Sequence, residues 1–166
     1  MIELIVLDVD GCMTDGKITY TSGGEELKSF NVKDGFAIVQ WLRLGNKAAI
    51  ITGRSSNIVE YRAKELGISY LYQNIKDKKE ALLDVSQKSG VPLENIAAIG
   101  DDLNDFRLLQ SVGYSFAPAD AVEYVRNRVE YVLRSKGGEG AVREMIELLL
   151  AKNGQYRRYL ELWTSE

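Results

Sequence analysis

The sequence contains no histidine among its 166 residues. This absence excludes Ser-His-Asp and Cys-His nucleophilic catalysis, histidine-ligated zinc and any phosphohistidine intermediate. The single cysteine, Cys12, cannot form an internal disulfide bond, which is typical of a reducing compartment. Cys12 also fails the cysteine-phosphatase pattern, because Ile18 stands where that chemistry needs a phosphate-binding arginine. Any catalysis must therefore use Asp, Glu, Lys, Thr or a hard metal ion.

Long apolar runs and clustered positive charge are also scarce. No apolar run approaches the length of a membrane span, and no positively charged segment precedes the first one. We therefore expect no membrane association and a cytoplasmic location. The formal net charge of −3 argues against nucleic-acid binding through a broad basic surface. A hydrophobic content of 45% and this length are those of one ordinary globular domain.

Short apolar segments alternate with helical patterns along the chain. Segments typical of buried strands occur at residues 4–7, 48–51, 68–72 and 96–99, with further strands expected at 114–116 and 129–133. The helical patterns between them are bounded by capping residues and glycines. This alternation predicts an α/β fold, a Rossmann-like parallel sheet with helices on both faces.

A β-hairpin is predicted as an insertion over about residues 17–31. Two short apolar segments, at 18–20 and 27–30, flank a Ser-Gly-Gly-Glu turn. An isolated hairpin of this size is marginal in water, so we expect it to pack on another surface, such as a second subunit.

Polar residues follow four of the predicted strands. They are Asp8 and Asp10, Thr52 and Gly53, Gln73 followed by Lys78, and Asp101 with Asp102. Because ligands bind beyond the carboxyl ends of strands in parallel sheets, we expect these groups to converge on one site.

The residue types at these strand ends suit a metal ion beside a phosphate. Three of the carboxylates are Asp8, Asp10 and Asp101. Hard oxygen ligands without nitrogen or sulfur fit Mg²⁺ far better than zinc. The Thr52 hydroxyl and the Gly53 amide, expected at a helix N-terminus, would donate to phosphate oxygens, and Lys78 would add positive charge.

The order of these motifs carries a family resemblance. Asp-x-Asp-Gly, then apolar-Thr-Gly, then Lys, then Gly-Asp-Asp-x-x-Asp resembles the haloacid dehalogenase superfamily of phosphotransferases over about the first 105 residues. The resemblance implies that Asp8 is the nucleophile that forms an aspartyl-phosphate and that Asp10 is the general acid and base. It also implies that Mg²⁺ is bound by the side chains of Asp8 and Asp101 and by the backbone carbonyl of Asp10.

The same resemblance assigns supporting roles to further residues. Asp102 and Asp105 would orient water, the lysine or the loop. Lys76 and Lys79 lie beside Lys78, and the three together could simply be a solvated helix start. We choose Lys78 because it matches the family's Gln-Gly-x-x-x-Lys spacing, although an asparagine replaces the glycine here.

The chain leaves no room for the cap domain of larger relatives. Only a hairpin and one helix separate the first two motifs, and only two βα units separate the next. Motifs at 8–16, 30–35, 51–54, 71–73 and 137–144 resemble the capless phosphatases that act on 3-deoxy-D-manno-octulosonate 8-phosphate in lipopolysaccharide precursor synthesis. The resemblance implies a homotetramer in which hairpins pair around a central barrel and the segment 137–140 reaches a neighbour's site.

Two arginines are candidates for binding the carboxylate of such a sugar acid. Arg54 and Arg143 each offer a guanidinium fork that fits a carboxylate. The phosphatases of nine-carbon nonulosonate 9-phosphates carry an acid after Thr-Gly, so Arg54 favours the eight-carbon substrate. For Arg143, a surface salt bridge with Glu139 or Glu147 is an equal alternative.

Two other functions stay open. A phospho-receiver module also combines acids, Thr, Lys and magnesium, but its lysine comes last, whereas here Gly-Asp-Asp follows Lys78. A non-catalytic, oligomerising domain of the same superfamily is disfavoured by the presence of all the strand-end acids together with that lysine. We expect residues 1–152 to form the phosphatase domain and 153–166 a tail, with a packing helix at 156–163.

Overall fold

A parallel six-stranded sheet forms the centre of the structure, a computed structural model that describes residues 1–164. In chain order the strands are β1 (Leu4–Leu7), β2 (Thr19–Tyr20), β3 (Glu26–Leu27), β4 (Lys47–Ile51), β5 (Tyr70–Tyr72), β6 (Ile96–Ile99), β7 (Tyr114–Ala117) and β8 (Tyr131–Val132). The sheet order is β5-β4-β1-β6-β7-β8 with parallel pairing throughout. β2 and β3 pair antiparallel as a separate hairpin.

Helices follow most of the strands, as the sequence predicts. They are α1 (Val32–Arg43), α2 (Asn57–Leu66), α3 (Lys78–Ser89), α4 (Phe106–Leu109), α5 (Glu123–Arg126), α6 (Ala141–Lys152) and α7 (Tyr156–Thr164). The predicted α/β fold is confirmed, and no cap domain is present among residues 1–164. Within the same range, none of the helices combines the length and the apolar character needed to cross a membrane.

The side chains of β1 divide between two apolar cores, one on each face of the sheet. Ile5 and Leu7 pack into the core that includes α1 and α6. Leu4 and Val6 pack into the core on the other face, together with Leu82 of α3. Since successive strand residues point to opposite faces, a strand covered on both sides must be apolar throughout, and β1 is. This double burial places β1 rigidly in the middle of the sheet.

The register aligns the carboxyl ends of three strands. Leu7 at the end of β1 pairs with Ile50 of β4 and Ile99 of β6. The chain segments that follow β1, β4 and β6 therefore leave the sheet at the same edge. They carry the predicted site residues.

Several strand boundaries differ from the sequence-based expectations. α1 begins at Val32, because the Asn31 side chain accepts from the Lys33 and Asp34 amides and caps the helix. β5 begins at Tyr70 instead of residue 68, and β8 spans two residues instead of five. Both hairpin strands are also shorter than expected.

The last helix packs against the body of the protein. Tyr159 of α7 is buried in the core that includes α1 and α6. Trp163 contacts Phe36 with ring centroids 5.2 Å apart. Residues 165–166 of the expected tail, 153–166, lie outside the described residues.

Asp34 is a buried carboxylate in the first turn of α1. One of its oxygens, Oδ1, accepts a hydrogen bond from the Arg143 amide at 2.9 Å. The other, Oδ2, has no hydrogen-bond partner among the described residues. Burial raises the pKa of Asp34 to about 6, although the Arg143 amide and the nearby guanidinium groups oppose this effect.

The raised pKa of Asp34 makes stability depend on pH. The folded protein binds this proton more tightly than the unfolded chain, whose pKa is 3.8, so the free energy of unfolding falls as pH rises through this window. We expect Asp34→Asn to remove this loss. Between pH 4 and pH 7, the free energy of unfolding of the variant should therefore rise by up to about 3 kcal/mol relative to that of wild type. Urea unfolding of both proteins at the two pH values measures it.

Asp84→Asn is the matched control for this prediction. The half-buried Asp84 carboxyl has a lowered pKa because Lys88 and Tyr72 donate hydrogen bonds to it. Its contribution to stability changes only as pH falls below about 3.8, so its replacement should leave the stability difference between pH 4 and pH 7 almost unchanged. An identical stability difference between wild type and Asp34→Asn at pH 4 and pH 7 would contradict the assignment.

Candidate active site

A cavity of about 260 Å³ opens where β1, β4 and β6 end. Its lining comprises Asp8, Asp10, Gly16, Thr52, Gly53, Arg54, Asp101, Asp102 and Asn104. The residues predicted at three strand ends therefore lie around one cavity, and the convergence expected from parallel topology is observed.

The two acids after β1 are placed by a turn and not by strand alternation. β1 ends at Leu7, and Asp8 precedes a π-helical turn, Val9–Met13. Asp10 has extended backbone angles inside this turn. Both carboxylates line the cavity.

Two glycines allow the first loop to pack closely. Gly11 has φ +93°, and a Cβ on it would lie 1.9 Å from Asp101 Oδ2. A Cβ on Gly137 would lie 1.9 Å from the Gly11 carbonyl oxygen, and the Gly138 amide donates to the Cys12 carbonyl at 3.0 Å. Residues 137–138 therefore rest on the chain's own first loop, and the expected reach of segment 137–140 to a neighbour's site stays a prediction.

Lys78 is the lysine that reaches the carboxylates. Its Nζ donates to Asp8 Oδ1 at 2.7 Å and to Asp105 Oδ1 at 2.5 Å, and its side chain is 2% exposed. Burial alone lowers the pKa of Lys78, but the two carboxylates outweigh it and raise the pKa above its ordinary value. The neighbouring Lys76 is exposed and Lys79 is half-buried. The geometry therefore singles out Lys78 among the three.

Asp105 orients both Lys78 and the loop after β6. Its Oδ2 accepts from the Asp101 amide at 2.9 Å and from the Asp102 amide at 3.2 Å, while Oδ1 binds the lysine. Asp102 caps the short 3₁₀ turn by accepting from the Leu103 amide at 2.7 Å. Both acids thus contact the groups that the sequence predicts they orient, the lysine and the loop.

Asp8 and Asp101 repel each other in a buried site. Burial, with the Asp105 charge, raises the pKa of Asp8 to about 7 even though Lys78 opposes the shift. Burial, with the charges of Asp8 and Asp105, raises the pKa of Asp101 to about 8. A bound cation would relieve this repulsion.

The donor atoms at this point fit a hard divalent cation. Oxygens of Asp8 and Asp101 lie within 4.8 Å of each other and of the Cys12 sulfur. Cys12 lacks the arginine that a cysteine-phosphatase nucleophile needs. Its burial near these acids holds the pKa of its thiol well above the ordinary value. The two carboxylates therefore supply the oxygen ligands that suit Mg²⁺, and the neutral thiol is a poor ligand for it.

Thr52 and Gly53 line the cavity, but the predicted helix N-terminus lies further on. Thr52 is buried; its amide donates to the carbonyl of Tyr72 at the end of β5, and its carbonyl accepts from the Ile75 amide. The cap of α2 is Ser56, whose hydroxyl accepts from the Ile58 amide. The Gly53 amide therefore belongs to the loop before α2, and the expected helix-dipole contribution at Gly53 is wrong.

Comparison with known proteins decides the family. A sequence profile described as haloacid dehalogenase-like hydrolase matches residues 70–146. 3-Deoxy-D-manno-octulosonate 8-phosphate phosphatase KdsC of Escherichia coli (strain K12) is 46% identical over 154 residues, which cover 93% of this chain and 82% of that protein. This chain belongs to the haloacid dehalogenase-like hydrolase family.

Solved structures agree with this assignment. The Moraxella catarrhalis phosphatase of the same name, in complex with magnesium ion, phosphate ion and KDO, superimposes with a TM-score of 0.95 at 40% identity, covering 98% of this chain and 94% of that one. The cobalt-bound Haemophilus influenzae phosphatase gives a TM-score of 0.90 at 39% identity, with coverages of 93% and 91%.

The two candidate arginines of this haloacid dehalogenase-like hydrolase occupy different surroundings. Arg54 lines the cavity, where its guanidinium donates to Tyr20 Oη at 3.3 Å and to Glu26 at 3.2 Å. Arg143 does not line this cavity. Its Nε donates to Glu147 at 2.5 Å, the salt bridge weighed as its alternative.

Sequence reasoning missed Asn104, which lines the cavity, and Lys28, which contacts Asp10. Lys28 follows β3, and its Nζ lies 2.5 Å from Asp10 Oδ1 and 3.1 Å from Glu26 Oε1. A lysine in a short, polar hairpin carries no signal of burial, because hairpins normally expose such residues to water. Only the fold of the hairpin over the site of this haloacid dehalogenase-like hydrolase reveals it.

Proposed function

We propose that this chain is a magnesium-dependent phosphatase that hydrolyses 3-deoxy-D-manno-octulosonate 8-phosphate to the free sugar acid and phosphate. The observation that carries the proposal is the cavity at the ends of β1, β4 and β6, in a chain 46% identical to a phosphatase named for this substrate. The reaction belongs to lipopolysaccharide precursor synthesis.

In the proposed reaction, a carboxylate oxygen of Asp8 attacks phosphorus and the bond from phosphorus to the sugar oxygen breaks. Asp10 gives its proton to the departing sugar oxygen, which leaves as an alcohol. Water then attacks phosphorus of the aspartyl-phosphate while Asp10 takes a proton from it, and phosphate leaves with Asp8 restored. Support comes from the position of both carboxylates in one cavity.

Four further groups would hold the phosphate and its charge. The Thr52 hydroxyl and the Gly53 amide would donate to phosphate oxygens, and Lys78 would neutralise charge beside Asp8. The carboxylates of Asp8 and Asp101 and the carbonyl of Asp10 would hold Mg²⁺, which would offset the negative charge of the phosphate. Asp102 and Asp105 would keep the lysine and the loop in place.

Magnesium should stabilise the folded protein. Because the carboxylates of the buried Asp8 and the half-buried Asp101 repel each other, we expect Mg²⁺ at about a hundredfold above its Kd to raise the free energy of unfolding by about 3 kcal/mol. Thermal unfolding with Mg²⁺ and with EDTA measures it. Asp101→Asn removes one ligand and should lose most of the shift while remaining folded. An equal shift in wild type and Asp101→Asn would contradict this metal site.

The sugar specificity is proposed to depend on Arg54. Its guanidinium lies at the rim of the cavity, where it can turn from Glu26 to a substrate carboxylate. An arginine at this position favours the eight-carbon over a nine-carbon sugar acid. Within the described chain Arg143 binds Glu147. We propose that Arg143 binds a substrate carboxylate only in the site of another subunit.

The substrate test is phosphate release from 3-deoxy-D-manno-octulosonate 8-phosphate, with Mg²⁺ and with EDTA, beside a nine-carbon nonulosonate 9-phosphate and other sugar phosphates. The proposal expects metal-dependent turnover with kcat/KM highest for the eight-carbon substrate. Preference for the nine-carbon substrate would replace the sugar assignment. No release from any ester would favour the alternative, a non-catalytic oligomerising domain of this superfamily.

We also propose an oligomeric state, a cellular location and domain boundaries for this protein. A homotetramer would bury the exposed apolar residues of the hairpin, which include Tyr20 and Leu27, and light scattering of the purified protein tests it. A cytoplasmic location fits the lone buried cysteine. Residues 1–152 are proposed as the phosphatase domain, with 153–166 as its tail.

A further inference from the structure

Lys28 lies in the hairpin beside the cavity and binds Asp10, which lines the cavity. Its Nζ lies 2.5 Å from Asp10 Oδ1 and 3.1 Å from Glu26 Oε1, and its side chain is 2% exposed. A buried ammonium is costly unless it is paired, and here it is paired twice. We propose that Lys28 is a positioning residue, which holds the Asp10 carboxylate in the orientation that delivers a proton to the leaving oxygen. This inference rests on the proposed phosphatase function.

Asp10 needs such a partner because its own backbone does not fix its side chain. It lies in an irregular turn, and its side chain is 21% exposed. A free aspartate side chain moves between staggered rotamers, whereas a general acid must stay within hydrogen-bond reach of the leaving oxygen. Within residues 1–164, Lys28 is the group described as hydrogen-bonded to the Asp10 carboxylate.

The same lysine connects Asp10 to the hairpin. Glu26 binds Lys28 and also Arg54, at 3.2 Å, and Arg54 reaches Tyr20 Oη at 3.3 Å. This chain of contacts runs from the carboxylate of Asp10 through both hairpin strands to the loop after β4. A hairpin with two residues in each strand is marginal alone, so these contacts fix it against the site.

Each of the two lysines, Lys78 and Lys28, contacts a different one of the two acids. Lys78 contacts Asp8, the proposed nucleophile, and Lys28 contacts Asp10, the proposed proton donor. Although burial lowers the pKa of Lys28, its hydrogen bonds to Asp10 and Glu26 outweigh that effect and raise the pKa. Lys28 therefore remains a charged donor and does not itself supply the proton.

The dependence of rate on the leaving group separates positioning from a merely structural role. An alkyl phosphate needs a proton on its leaving oxygen, whereas para-nitrophenyl phosphate releases a phenolate that is stable without one. In Lys28→Met we expect kcat/KM for a small alkyl phosphate to fall by about a hundredfold. For para-nitrophenyl phosphate we expect a fall of less than about threefold, because phosphoryl transfer to Asp8 no longer depends on Asp10.

Two control variants come from the same hairpin. Lys17→Met makes the same substitution at an exposed lysine that contacts Asp15, and it should leave both rates unchanged. Glu26→Gln weakens the attachment of the hairpin but keeps the contact between Lys28 and Asp10, so any loss it causes should be similar for the two esters. Lys28→Arg retains a charged donor and should recover part of the alkyl phosphate activity.

A crystal structure of Lys28→Met gives a readout that does not depend on activity. We expect the Asp10 carboxylate to leave its wild-type rotamer while β1 and the Lys78 contacts stay unchanged. An unchanged Asp10 rotamer, or equal losses on both esters, would overturn the positioning role. A wild-type protein that hydrolyses neither these esters nor 3-deoxy-D-manno-octulosonate 8-phosphate would instead overturn the proposed function, so the two failures are distinguishable.

Discussion

Replacing Asp8 by asparagine should lower kcat/KM for the sugar-acid phosphate by at least about a thousandfold. The amide oxygen of asparagine is a far weaker nucleophile than a carboxylate, so no acyl-phosphate forms. Phosphate release under saturating Mg²⁺ measures the loss. The substitution removes a charge that burial and Asp105 already disfavour, so the variant should unfold at no lower temperature than wild type.

The same substitution at a distant carboxylate controls for this result. Asp84 lies on α3 outside the cavity, is half-buried and binds Tyr72 and Lys88, so Asp84→Asn should keep the wild-type rate. Full magnesium-dependent activity in Asp8→Asn would rule out the aspartyl-phosphate route, and the nucleophile would have to be sought elsewhere in the cavity.

Replacing Lys78 by methionine should lower both the rate and the stability. The ammonium is buried between Asp8 and Asp105, at 2.7 Å and 2.5 Å, so its removal leaves these carboxylates without their shared cation. We expect kcat/KM to fall by about a thousandfold, as for loss of one preorganised charge in a buried site. In EDTA, urea unfolding should show a loss of about 3 kcal/mol, the cost of breaking a buried ion pair.

Lys76→Met is the matched control for Lys78→Met. Lys76 is exposed and two residues away, and its replacement should change neither measurement by more than a small factor. If Lys76→Met lost as much activity as Lys78→Met, the lysine cluster would act as a general positive surface and not through one buried ion pair.

Sequence patterns predicted the part of the site that rests on regular strands. β1 must be apolar on both faces, and this requirement makes its end visible as the point where Asp8 follows Leu7. The parallel register then brings the ends of β4 and β6 to the same edge. These features follow from sheet geometry. An error of one or two residues in a predicted strand boundary does not change them.

Groups that depend on loops and on tertiary packing could not be predicted in the same way. Lys28 looks like any exposed hairpin lysine until the hairpin folds over Asp10. The start of α1 depends on the Asn31 side chain, which accepts from the Lys33 and Asp34 amides. Arg143 stands four residues before Glu147, and helical spacing cannot distinguish that salt bridge from a ligand role.

The central claim, that Asp8 receives the phosphoryl group of the sugar-acid phosphate, is tested most directly by trapping. Wild-type protein and Mg²⁺ are mixed with 3-deoxy-D-manno-octulosonate 8-phosphate, quenched within one turnover and reduced with borohydride, and the peptide containing Asp8 is weighed by mass spectrometry. We predict reduction of Asp8 to homoserine only when this substrate and Mg²⁺ are both present. An unmodified Asp8 in protein that is releasing phosphate would contradict the account.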